Sequence, residues 1–92
     1  MNHIVCDEAR QLVADGAHLV DVRTAREYAQ GALPGAVNVP LQNLLAGIQQ
    51  LEKDKPIILY CASGARSQQA AQALSLFGHV SVHDLGGLRN CQ

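Results

Sequence analysis

Cys61 stands where the apolar run Ile57-Ile58-Leu59-Tyr60 ends and the small-residue run Ala62-Ser63-Gly64-Ala65 begins, with Arg66 closing the segment. An apolar run of this kind reads as a central parallel strand covered on both faces. The residues from Ser67 to Phe77 read as the best helix in the chain, with Gly78 placed to end it. A thiol between a strand end and a helix start meets unpaired first-turn amides and the positive end of the helix dipole. Both stabilise a thiolate and lower the thiol pKa from its free value of roughly 8.5. Small residues at 62–65 let the backbone curl so that its amides converge into an anion nest, and Arg66 adds a permanent charge with a fork of donors. The chemistry implied is a nucleophilic cysteine in an anion-binding loop. A buried cysteine ahead of an ordinary strand-to-helix turn is the competing reading, and Arg66 favours the nucleophile.

The elements that must position this segment follow from the apolar pattern. His3–Cys6 reads as a short strand, Asp7–Ala14 as a short helix, and His18–Val22 as a β-branched strand. Thr24 and Glu27 have the spacing of a capping box, which starts a short helix stopped by Gly31 and Pro34-Gly35. Ala36–Val39 is the next strand candidate, closed by Pro40. Leu41, Leu44, Leu45, Ile48 and Leu51 then form one continuous helical stripe, read as core. Val80–His83 is a last strand, followed by Leu85-Gly86-Gly87. Alternating strands and helices mean an α/β fold: a small parallel sheet flanked by helices on both faces, with its working site beyond the carboxyl ends of the strands.

The chain has 92 residues, enough for a single domain over residues 1–92. Its residues are 48 % hydrophobic but only 3 % aromatic, so the core must be built from Val, Leu, Ile and Ala. A formal net charge of −1 provides no basic field for nucleic acid or an anionic membrane. No apolar run approaches the roughly 18 residues of a membrane span. Asp7, Glu8 and Arg10 interrupt the region where an export signal needs apolar residues, so a cytoplasmic location is expected.

The three cysteines, Cys6, Cys61 and Cys91, are odd in number and far apart, and no C-x-x-C pair suggests zinc or a dithiol. In a reducing compartment a disulfide framework is not expected. Cys6 reads as a neighbour of the first helix cap, and Cys91 as exposed and incidental, with a resolving role toward Cys61 as its alternative. None of His3, His18, His79 and His83 has ligand spacing or a placement that would make it a base for Cys61.

Four segments in order resemble the rhodanese family. Cys61-Ala62-Ser63-Gly64-Ala65-Arg66 is similar to its C-x-x-G-x-R active-site loop, and Asp21-Val22-Arg23 through Glu27-Tyr28 to its D-V-R-x-x-x-E-[YF] segment. Gly31 to Pro40 resembles G-H-[IL]-P-G-A-x-N-[IV]-P, and Val82 to Gly87 resembles the strand and paired glycines near the family's C-terminus. The resemblance covers nearly the whole chain and implies a single rhodanese domain acting as a thiosulfate sulfurtransferase. Cys61 would take the outer sulfur of a donor as a persulfide and pass it to cyanide or a thiol. The amides from Ala62 through Ser63, Gly64, Ala65 and Arg66 to Ser67 would cradle that sulfur, and Arg66 would hold the donor or orient the loop. Asp21 and Arg23 would brace the site, more as a structural ion pair than as catalysts. No metal or organic cofactor is implied; the partners would be a small-molecule sulfur donor and acceptor, or a protein thiol.

Two departures stand out. Ala32 replaces the usual His, and no Trp follows the paired glycines before the chain reaches Gln92. Cysteine phosphatases and arsenate reductases are the alternative enzyme class, but their loop is one residue longer, C-x5-R. A non-catalytic rhodanese-like interaction module is the other alternative, opposed by the presence of Cys61.

Overall fold

The computed structural model describes residues 2–52, 54–79 and 81–91. Its centre is β4 (Ile57–Cys61), buried along its whole length. Paired with it in parallel are β2 (His18–Asp21) on one side and β5 (Val82–Gly87) on the other. Two-residue strands complete the edges: β1 (Asn2–His3) beside β5, and β3 (Val37–Asn38) beside β2. Among the described residues the strands run in the order β1-β5-β4-β2-β3.

Alternation along β4 divides the core. Ile57, Leu59 and Cys61 face a cluster made with Leu44 and Ile48 of α3 (Leu44–Ile48) and Ala70, Ala71 and Leu74 of α4 (Ala65–Leu76). Ile58 and Tyr60 face the opposite layer, where Ala9 of α1 (Cys6–Ala14) packs with Leu19 and Leu85, and Tyr28 of α2 (Ala25–Ala29) closes one side. Both faces of the sheet are therefore covered, as an apolar central strand requires. With one Phe and two Tyr in the chain, this is the aliphatic core its composition demands.

Several boundaries differ from the expected ones for identifiable reasons. The first strand stops at His3, and Cys6 already belongs to α1. The stripe from Leu41 to Leu51 is broken into a 3-10 turn (Leu41–Asn43), α3, and a turn that leaves Leu51 at the core margin. The buried face of α4 is Ser67, Ala70, Ala71 and Leu74, a 3.6-residue series; Phe77 lies just past the helix end and is 68 % exposed. Gly86 and Gly87 do not follow the last strand but end it, and of the residues expected to open that strand, Val80 lies outside the described set. A register shift between Leu59 and Tyr60 pairs Tyr60 with Gly86 instead of Leu85, the local kink by which a bulge re-aims a strand end.

The largest difference concerns the cysteines. Cys6 and Cys91 form a disulfide, with their Cα atoms 5.3 Å apart across a sequence separation of 85. The bond joins the first turn of α1 to the closing 3-10 turn (Leu88–Cys91). Both cysteines are half-buried, so Cys91 is neither incidental nor free to resolve Cys61. The long separation hid the pairing from the sequence, since only the adjacency of β1 and β5 brings the two ends together.

Candidate active site

Cys61 is the last residue of β4, and its side chain is fully buried beneath the loop that follows. Gly64 takes a φ of +107°, a left-handed value that glycine alone adopts without strain, and α4 starts directly after it. The turn aims two amides at the sulfur: Gly64 N–H donates to Cys61 Sγ at 2.9 Å and Ser67 N–H at 3.4 Å. Burial alone would push the Cys61 thiol up. Donors of Ser67, Gly64 and Ser63 around the sulfur outweigh it, leaving the thiol below its ordinary value. Cys61 is the one free cysteine among the described residues.

The loop leans on the end of β5. A side chain at Gly87 would place its Cβ 2.9 Å from the Ala62 carbonyl oxygen, so the close approach of strand and loop depends on glycine there. Asp84, buried in β5, accepts from the Ser67 hydroxyl at 2.7 Å and from Gly86 N–H at 2.9 Å. It thereby joins the start of α4 to the bulged strand. Its other oxygen lies 3.6 Å from His3 Nδ1. Reading the motifs missed this residue; a carboxylate at an inward position of an apolar strand was the available signal.

Asp21 and Arg23 form the buried ion pair expected of them. Arg23 Nη2 donates to Asp21 Oδ2 at 2.6 Å and also to the Gly31 carbonyl at 2.7 Å, while the Arg23 amide donates to Asp21 Oδ1 at 2.9 Å. The guanidinium lies over the Tyr60 ring, 5.8 Å from its centroid. Tyr60 was not singled out in the sequence, yet its hydroxyl accepts from Leu33 N–H at 3.0 Å and so ties β4 to the Gly31–Pro34 segment. Burial pushes its phenol up to about 12.

Arg66 does not reach toward the sulfur with free donors. It makes a two-pronged pair with Glu27, at 2.6 and 3.0 Å, and Glu27 is held in turn by the amide and hydroxyl of Thr24. Arg66 and these Thr24 contacts pull the Glu27 carboxyl down to about 2. The capping box of α2 thus serves as the anchor of the loop arginine.

The site is thus a parallel α/β sheet with a cysteine sulfur held by loop amides at its carboxyl edge. The rhodanese-like domain model matches residues 5–91, and the chain belongs to that family. It is 37 % identical over 89 residues to a sulfurtransferase of Allochromatium vinosum, spanning 95 % of this chain and 83 % of that one. It is 36 % identical over 75 residues to the thiosulfate sulfurtransferase PspE of Escherichia coli, spanning 79 % of this chain and 72 % of that one. The human single-domain sulfurtransferase TSTD1 superposes with a TM-score of 0.82 at 30 % identity, covering 98 % of this chain and 94 % of that one.

The lowered thiol has a pH signature. Because the folded site lowers the thiol pKa, Cys61 should keep its reactivity to a lower pH than the same cysteine in the unfolded chain, and lose it as pH falls through the folded value. Iodoacetamide alkylation followed by mass should give a midpoint below that of the same cysteine in denaturant. A native midpoint at or above the denatured one would contradict the cradle.

Proposed function

We propose that this rhodanese-family sulfurtransferase moves sulfane sulfur from thiosulfate, or a persulfide donor, to cyanide or a thiol through a persulfide on Cys61. The observation that carries the reading is the pair of amides from Gly64 and Ser67 on the Cys61 sulfur, within a site that keeps the thiol below its ordinary pKa. The thiolate attacks the outer sulfur of thiosulfate. The sulfur–sulfur bond of the donor breaks, sulfite leaves with the electron pair, and Cys61 carries a persulfide. Negative charge then resides on the outer sulfur, and the loop from Ala62 to Ser67 supplies amide donors to hold it. Cyanide attacks that sulfur next, thiocyanate departs, and the Cys61 thiolate is restored. Each step exchanges one sulfur–sulfur or sulfur–carbon bond for another, so the cycle needs no external oxidant or reductant.

Asp21, Arg23, Glu27 and Arg66 act as the frame that holds the loop, since each already has a charged partner. Among the described residues no helix is long and apolar enough to cross a membrane. The Cys6–Cys91 bond favours an oxidising compartment over the cytoplasm expected from the sequence.

The test is the intact mass of the protein after incubation with thiosulfate. A gain of one sulfur atom, discharged by cyanide with release of thiocyanate, is the expected result. A folded protein that gains no sulfur from thiosulfate or from an organic persulfide would overturn the reading.

A further inference from the structure

Arg89 is the one guanidinium lining the edge of the Cys61 loop for which no carboxylate partner is found among the described residues. It lies on the closing 3-10 turn and lines a cavity of about 400 Å³ with Ala62, Ser63, Gly86, Gly87 and Asn90. Ala62 and Ser63 directly follow the reactive cysteine. The turn is fixed at two points next to Arg89: Asn90 Nδ2 donates to the Leu85 carbonyl at 2.7 Å, and Cys91 is bonded to Cys6. The position of the Arg89 backbone is therefore set before any ligand arrives.

The charges around the site leave this residue a task. Asp21 cancels Arg23, and Glu27 cancels Arg66. The Asp84 carboxylate faces no guanidinium, being held by the Ser67 hydroxyl and Gly86 N–H beside His3, and Cys61 adds negative charge whenever it ionises. The loop amides are aimed at the cysteine sulfur, so the anionic group beside the transferable sulfur of a donor gains most from a cation at this edge. We propose that Arg89, not Arg66, is the specificity-determining cation that draws anionic donors to Cys61, so that this site prefers donors carrying a sulfonate or carboxylate next to the transferable sulfur. The inference rests on the sulfur-transfer reading for its substrate class, but the attraction itself can be read from the thiol alone.

The experiment compares the rates at which iodoacetate, an anion, and iodoacetamide, its neutral analogue, alkylate Cys61. Arg89→Ala should lower the iodoacetate-to-iodoacetamide ratio about fivefold at low ionic strength, the order expected for one unit charge a few ångströms from an anion in water. Arg89→Lys should restore most of it, and roughly 1 M salt should bring the wild-type ratio toward that of Arg89→Ala. In steady state Arg89→Ala should raise the KM for thiosulfate several-fold with kcat little changed, since the residue guides the donor and does not touch the sulfur that moves. An unchanged ratio in Arg89→Ala overturns the proposal, as does a fall in Arg66→Ala alone. An equal loss with both reagents also overturns it, because Arg89 would then be acting on the thiol or its loop. A wild-type protein with an Arg89-dependent ratio that accepts no sulfur from thiosulfate or an organic persulfide would keep this inference and remove the sulfur-transfer reading.

Discussion

Cys61→Ser should reduce thiocyanate formation from thiosulfate and cyanide to the uncatalysed rate while leaving the protein folded. Serine is close in shape to cysteine, and Gly64 N–H and Ser67 N–H would still find an oxygen acceptor, so the buried loop keeps its hydrogen bonds. What vanishes is the nucleophile. An alcohol is almost wholly protonated at neutral pH, no histidine among the described residues is hydrogen-bonded to Cys61, and oxygen cannot form the persulfide of the proposed two-step transfer. The other cysteines cannot substitute, being joined to each other. The comparison is of thiocyanate release and intact mass for the two proteins, with circular dichroism to establish that both are folded. Residual turnover in the serine variant above a few per cent of wild type would place the transferring sulfur elsewhere.

Removing the Cys6–Cys91 bond should have the largest effect on stability. A crosslink spanning a separation of 85 restricts the unfolded chain over nearly its full length, and bonds closing loops of this size are worth about 3–5 kcal/mol. For a domain of this size that corresponds to a drop in Tm of roughly 15 °C or more. Cys91→Ala and wild type in a thiol reductant should melt at similar, lowered temperatures. The variant itself should be indifferent to reductant. A wild-type Tm unaffected by reduction would show that the bond contributes little to the stability of the native chain.

The parts of the site that were legible in the sequence are those built from neighbours in the chain. The strand from Ile57 to Tyr60, the small loop and the helix after it follow one another without interruption, and local periodicity is enough to place the thiol at a strand end. Thr24 and Glu27 were readable for the same reason, three residues apart in a capping box. Glu27's second task was not, because Arg66 is 39 positions away and only the adjacency of β2 and β4 brings them together. Asp84's contact with Ser67 is not legible either, because the two lie 17 positions apart and the strand expected to end at His83 runs on around a bulge to Gly87. The cysteine pair is hidden by distance too, its members being 85 positions apart, and an odd cysteine count masks one bond plus one free thiol. Phe77 illustrates a limit of periodicity, which continues on paper past the residue where the helix stops.

The bond between Cys6 and Cys91 also has a mechanical consequence. A chain pulled by its two ends normally passes the load through its hydrogen-bonded ladders, and parallel strands shear apart. Here tension entering near residue 6 would leave near residue 91 through a covalent link, and everything between them would hang slack beside the loaded path. Only β1 lies outside the clasp, and it alone would peel away from β5. Fused between other folded units and stretched, this domain would transmit force while Cys61 stayed in an undistorted sheet.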